Sequence, residues 1–268
     1  MANLRRTLVV RSAFGRRPLG LQSGMHANLG KSDCVIRSVG MKRSARLSAS
    51  TISVLLECPR CFLLQVNENS RRPQGPFPSL PGGIDAVLKK YLDAYRKGGE
   101  LPPDLVGKVP GGLFPDQQKL DRWRDALRGD LRFTDAELGV EVSGGLDDLL
   151  IEGDKLTPLD FKTRGWPVKE DTHRHYEHQL DLYAWLLEKL GYRTSGRGVL
   201  LFFSPVSYEG HGTVKFRIES VEMNTNTKRA GDLLGRAVQV LRGPLPKDHA
   251  ECSFCRFAAT RAVQETGE

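Results

Sequence analysis

The feature that most constrains this 268-residue chain is a pair of apolar runs, Leu146-Asp147-Asp148-Leu149-Leu150-Ile151 and Leu156-Thr157-Pro158-Leu159-Asp160-Phe161-Lys162-Thr163, separated by Glu152-Gly153-Asp154-Lys155. Two such runs around a glycine-containing break read as a β-hairpin. With Gly153 and Asp154 as the turn residues, Ile151 falls opposite Leu156 and Asp147 opposite Asp160. Directly opposed residues have Cβ atoms about 5 Å apart. The two carboxylates are then close enough to hold one divalent cation and too close to stay ionised comfortably without one. Strand side chains alternate between faces, so Lys162 emerges beside Asp160. Magnesium and similar hard cations take a few carboxylate oxygens and leave their other positions to water or phosphate. A lysine next to such an ion can orient an attacking water or steady charge on a phosphate. An isolated Asp-x-Lys also occurs on ordinary solvent-facing strands; the opposition of Asp147 and Asp160 is what points to a site.

Taken together, Gly144-x-x-Asp147, Leu159-Asp160-Phe161-Lys162-Thr163 and Gln179-x-x-x-Tyr183 resemble the PD-(D/E)XK nuclease superfamily, in the RecB-like branch that includes CRISPR-associated and helicase-linked exonucleases. The resemblance extends over most of residues 48–257. It implies an α/β fold with a restriction-endonuclease-like core, a mixed β-sheet flanked by helices. It also implies a metal-dependent deoxyribonuclease serving DNA repair, recombination or defence, with DNA as partner and a helicase as a possible second one. Asp147 and Asp160 would be ligands of Mg²⁺ or Mn²⁺, Lys162 the catalytic lysine, and Gln179 with Tyr183 the helical motif beside the active site. The branch often carries a histidine or an acid at the start of an earlier helix. No histidine stands there in this chain, and Asp85 in Gly82-Gly83-Ile84-Asp85 is the nearest counterpart. A carboxylate in a first helical turn can equally serve the helix dipole. The alternative from another class is a nucleic-acid-binding or assembly module that keeps a nuclease scaffold and cuts nothing.

Four of the five cysteines fall in two pairs, Cys58-Pro-Arg-Cys61 and Cys252-Ser-Phe-Cys255, while Cys34 stands apart as a free thiol. With no export signal, a reducing compartment is expected, and paired spacing suits tetrathiolate coordination better than disulfides. Zinc and iron-sulfur clusters both accept four thiolates. By resemblance, several RecB-like nucleases hold a 4Fe-4S cluster with one cysteine before the core and three after it. In this chain Arg261 stands where the last would be, and Cys61 supplies the fourth thiolate from the other end. The expected cofactor is therefore a 4Fe-4S cluster, with structural Zn²⁺ as the alternative, closing the two ends of the domain.

The formal charge of +8 suggests nucleic acid until it is located. Residues 1–46 hold ten Lys and Arg against Asp33 alone, so residues 47–268 come to −1. The expected organisation is a disordered basic leader, 1–46, and a nuclease-like domain, 47–268. The leader could be an organellar transit peptide, a basic tail, or sequence upstream of a working start at Met41; the last is favoured, with a cytoplasmic location. No apolar run of about 18 residues is present, so no membrane span is expected.

Along the domain, Ser48 or Ser50 can cap a first helix, and residues 72–83, rich in Pro and Gly, read as a loop. Apolar spacing predicts a helix over 84–96 and another over 116–127. Leu138-Gly139-Val140-Glu141-Val142 reads as a strand, with Glu141 a solvated position or a further carboxylate. Arg164 could touch a phosphate or lie on the surface. A buried helix is expected over 176–190, with Gln179 and Tyr183 on one face. His175 and His178 share a helical face apart from His173, with no accompanying ligand pattern. Strands near 198–203 and 214–218 and a helix over 230–241 complete the reading.

Overall fold

The computed structural model describes residues 45–73, 75 and 79–266. Cys34, Met41 and most of the expected basic leader lie outside them. The elements, in chain order, are β1 (Ala45–Leu47), α1 (Ala49–Glu57), α2 (Pro59–Asn67), α3 (Ser79–Gly98), β2 (Gly112–Leu113), α4 (Gln117–Arg124), β3 (Arg132–Asp135) and β4 (Val140–Ser143). They continue with β5 (Asp148–Glu152), β6 (Lys155–Thr163), a 3₁₀ turn (Thr172–Tyr176), α5 (Glu177–Lys189), β7 (Arg193–Thr194), β8 (Arg197–Gly210), β9 (Thr213–Asn224), α6 (Thr227–Arg242) and α7 (Ser253–Thr266).

The hairpin forms in the expected register. Ile151 pairs with Leu156 and Asp148 with Leu159, where the ladder ends, and Asp147 and Asp160 are the next residues on either side. Gly153 turns the chain at φ 60°, in the left-handed region that glycine enters without a Cβ penalty. Strand β6 then pairs with β8 in parallel, β8 with β9 antiparallel, and β2 with β5 antiparallel, giving a mixed sheet ordered β2-β5-β6-β8-β9, with β7 also on β6. A separate three-stranded sheet is ordered β1-β4-β3.

Strand β8 shows why the main sheet is central. Leu200 and Phe202 join one buried cluster with α1, α5 and α6, while Val199, Leu201 and Phe203 join another on the opposite face with Leu92 of α3. A strand buried on both faces reads as a continuous apolar run, as β8 does. The alternation in β6 sends Leu159 and Phe161 to the α3 face, which leaves Asp160 and Lys162 facing α5.

Local signals place the helices. Ser48 caps α1 in a reciprocal box with Thr51, and Asn226 caps α6 by accepting from the Arg229 amide. Helix α5 buries Leu180 through Leu187 without a break, including Asp181, whose carboxylate accepts from the Asn226 amide and from Arg229.

Several expectations shift. Helix α3 begins at Ser79, so Leu80-Pro81-Gly82-Gly83 is its first turn and not loop. Proline is tolerated there because the first helical N–H groups have no intrahelical acceptor. Arg46 of β1 crosses to Glu141 of β4 at 2.5 Å. Glu141 is thereby paired in the small sheet, away from the aspartates. Helix α4 stops at Arg124, short of Leu127, where the Asp125 carboxylate accepts from the amides of Leu127 and Arg128 and turns the chain.

Candidate active site and four-cysteine centre

Asp160 sits in the middle of β6 and is 1% exposed. Its Oδ1 accepts from Gln179 Nε2 at 2.7 Å, and its Oδ2 forms an ion pair with Lys162 Nζ. The Lys162 ammonium donates in turn to Gln179 Oε1 at 3.0 Å and lies 4.7 Å above the centre of the Tyr176 ring. One amide thus holds the acid with its nitrogen and the lysine with its oxygen. Gln179 Nε2 also lies 2.8 Å from Tyr183 Oη, and that hydroxyl donates to the Gly145 carbonyl at 2.7 Å. The i, i+4 spacing on α5 therefore ties the helix to β6 at one end and to the β4–β5 connection at the other.

That connection needs its glycines. A Cβ on Gly144 would stand 3.0 Å from side-chain atoms of Leu131 and Leu186, and one on Gly145 would stand 2.9 Å from the Ala126 Cβ.

Asp147 lies just before β5. Its Oδ2 accepts from the Phe161 amide at 2.9 Å and its Oδ1 from Lys89 Nζ at 2.8 Å. Lys89 reaches Asp85 Oδ2 at 2.8 Å as well, so Asp85 comes to the same place through a lysine bridge. Burial, followed by the charge of Asp147, pushes the Asp160 carboxyl up to about 7 against the pull of Lys162. At Lys89, burial disfavours the ammonium, but Asp147 and Asp85 together outweigh it and hold its pKa above the ordinary lysine range. Burial likewise raises the Tyr183 phenol and keeps it a hydrogen-bond donor.

These observations fit a divalent cation. Asp160 Oδ2 is buried and accepts no hydrogen bond of good geometry despite its ion-pair contact with Lys162. The Lys89 ammonium already bridges two carboxylates as a cation would. All donors are oxygens, the set that hard cations prefer.

The structure thus brings Asp85, Asp147, Asp160, Lys162, Gln179 and Tyr183 into one locality. It does not bring in the histidines as a group. His178 pairs with Ser53 of α1 at 2.7 Å, and its pKa is lowered chiefly by burial, while His173 and His175 stay on the 3₁₀ turn. Arg164 anchors its backbone on the Phe203 carbonyl at 2.9 Å.

Sequence reasoning missed two features. Lys89 could have been found from Asp85-x-x-x-Lys89, an i, i+4 acid–base pair on a helix. The second is a buried ionic cluster one residue from Asp147. Asp148, fully buried, accepts from Arg96 Nη2 at 2.7 and 2.6 Å and from Arg124 Nη2 at 3.0 Å. Arg124 also donates to the Asp147 carbonyl at 2.9 Å. An acid among strand leucines was the available signal, since buried charges are almost always paired.

Beside Gln179 and Tyr183 opens a cleft of 1140 Å³ that runs between α1, α2 and the 3₁₀ turn, with Arg71, Asn67 and His175 on its walls. Asp147, Asp160 and Lys162 do not line it, so the two motif residues of α5 separate the cleft from the acids.

Cys58, Cys61, Cys252 and Cys255 are all buried and unbridged. Their sulfurs lie within 4.8 Å of one another. Burial pushes the Cys61 thiol up to about 12, whereas at Cys252 burial is outweighed by the Cys255 amide, Cys61 and the Phe254 amide, which bring it down to about 7.

The family model of the PD-(D/E)XK nuclease superfamily matches residues 46–260. The chain belongs to that superfamily. Its mixed sheet flanked by helices is the restriction-endonuclease-like fold of these nucleases, which use divalent metals to cut phosphodiester bonds. No curated protein matches the chain. A solved structure described as "Crystal structure of SSO0001" is similar at 16% identity over 81% of this chain and 86% of that one, with a TM-score of 0.36. Among the described residues, no helix is long and apolar enough to cross a membrane.

Proposed function

We propose that this chain is a Mg²⁺- or Mn²⁺-dependent deoxyribonuclease of the RecB-like exonuclease type. The observation that carries the reading is the Gln179 amide, which joins Asp160 at 2.7 Å to Lys162 at 3.0 Å in a buried setting beside Asp147. An ordinary solvent-facing hairpin would leave these groups to water.

Asp147 and Asp160 would hold the ion, with Asp85 in reach. When bound, such an ion supplies positive charge to a scissile phosphate and eases deprotonation of a nearby water. The remaining work falls to the protein's own groups. Lys162 offers N–H donors toward a phosphate oxygen or an attacking water, held in place by its ion pair with Asp160 and its hydrogen bond to Gln179. Gln179 fixes the direction of both side chains, and Tyr183 fixes Gln179 by anchoring on Gly145. The cleft beside Gln179 and Tyr183 has room for a nucleic-acid strand, and Arg71 and His175 line it.

The test is cleavage of single-stranded and duplex DNA, with free and blocked ends, with Mn²⁺, Mg²⁺ or chelator. Degradation confined to free ends, dependent on metal and lost in Asp160→Ala, is expected. Protein that is inert on all substrates would leave a nucleic-acid-binding module on a nuclease scaffold, and an Asp160→Ala variant as active as the parent would overturn the assignment of this site.

A further inference from the structure

We infer that Cys58, Cys61, Cys252 and Cys255 hold a single tetrahedral zinc ion, and that the 4Fe-4S cluster implied by the family resemblance does not fit them. Size separates the two. Cys58 Sγ is 3.6 Å from Cys255 Sγ, and Cys61 Sγ is 3.7 Å from Cys252 Sγ. No two of the four ligand atoms are more than 4.8 Å apart. A disulfide needs sulfurs about 2.05 Å apart, so these are four thiols and not two bridges. Zinc–sulfur bonds of about 2.3 Å at tetrahedral angles put thiolates about 3.8 Å from one another. In a cubane each thiolate binds a different iron, with inorganic sulfide between the irons, and the cysteine sulfurs spread to on the order of 6 Å. The two close contacts match the single ion, and even the outer limit of 4.8 Å falls short of the spread of a cluster.

The surroundings suit a closed structural zinc site. Each Cys-x-x-Cys pair gives one member to each close contact, so the four sulfurs interlock and do not segregate by pair. Cys58 caps α2, and the Cys61 amide lies 3.5 Å from Cys58 Sγ. Cys252 precedes α7 in the same way, so two helix N-termini face the centre and favour thiolate over thiol. Arg72 Nη2 lies 3.8 Å from Cys252 Sγ, and its guanidinium is 4.8 Å from the centre of the Phe254 ring. Four thiolates around a dication carry two excess negative charges, and these N–H groups and the arginine disperse them. All four positions are filled by protein, which marks a structural and not a catalytic zinc.

The inference does not depend on nuclease activity. The full-length chain, purified anaerobically without added metal, is analysed for zinc, iron and acid-labile sulfide. About one zinc per chain, no sulfide and no visible colour are expected. Exchange with Co²⁺ should give thiolate charge-transfer bands and the intense visible absorption of tetrahedral cobalt. Cys255→Ser should lower both zinc content and Tm; if that variant is insoluble, the metal analysis and cobalt spectrum of the parent decide. Brown protein with iron and sulfide in equal amounts overturns the assignment, as does one iron without sulfide. Parent protein with no metal, and a Tm unmoved by a zinc chelator, overturns it too.

Discussion

Lys89 Nζ stands 2.8 Å from Asp147 Oδ1, and the same ammonium stands 2.8 Å from Asp85 Oδ2. A side-chain cation therefore occupies the space between two carboxylates that a divalent ion would seek. Partly exposed ion pairs of this kind are worth up to about 1 kcal/mol, or roughly fivefold in an equilibrium constant. Lys89→Ala should lower the Mn²⁺ concentration needed for half-maximal cleavage by a few fold. A metal titration of initial rates checks this; an unchanged midpoint would show that Lys89 and the ion do not compete.

Stability should depend on pH through Asp160. Its carboxyl is raised from 3.8 to about 7 by burial and by Asp147. Between those values the folded chain keeps a proton that the unfolded chain has lost, so this residue makes stability fall as pH rises from about 4 to about 7 and flatten above. In chelator, Asp160→Asn should gain on the parent across that window, by at most on the order of 4 kcal/mol. Divalent cation should raise the parent's Tm more at about pH 8 than at about pH 5, because only the ionised pair attracts it. Thermal melts of both proteins across the range test the sign, and a constant difference would refute the shift.

Lys162→Ala should reduce the cleavage rate about 10²- to 10³-fold, the usual cost of removing one positioned donor. Arginine should not rescue it, since a planar fork cannot reproduce contacts to Asp160 and Gln179 made by a point charge. Gln179→Ala should lose less, with Tm held near the parent value in both cases. Rates measured at saturating DNA separate this from weakened binding.

Asp148→Ala should destabilise the fold by about 3–5 kcal/mol, because it strands the buried Arg96 and leaves Arg124 short of an acceptor. Urea denaturation provides the measurement. A loss below about 1 kcal/mol would mean that solvent reaches the arginines when the carboxylate is gone.

The parts of this site visible in the sequence were those fixed by local periodicity. Hairpin register follows from turn position, so the opposition of Asp147 and Asp160 could be read from the spacing of Ile151, Gly153, Asp154 and Leu156. Gln179 and Tyr183 were visible because polar tips on an otherwise apolar helix need partners. Contacts between elements distant in the chain were not visible. Lys89 meets Asp147 across 58 residues and Arg96 meets Asp148 across 52, and no pattern within either segment names the other. Helix α3 was read short because Pro81-Gly82-Gly83 are breakers inside a helix, yet Pro81, which has no N–H to donate, is acceptable in the first turn, where none is needed. The sulfur spacing that separates zinc from a cluster is likewise tertiary, since both take the same four residues.

The contact between Cys58 and Cys255 spans 197 positions. On a ribosome, the helices α1 and α2 that wall the cleft emerge well before the second cysteine pair, whose partners Cys58 and Cys61 lie 197 and 191 positions back. The four-sulfur contact must wait until the chain through Cys255 has been made, a long-range closure of the kind that forms late in folding. A nascent chain stalled before residue 252 would carry Cys58 and Cys61 without their two sulfur neighbours. The packing of α1 and α2 against the second cysteine pair is thus closed only once Cys252 and Cys255 have been made.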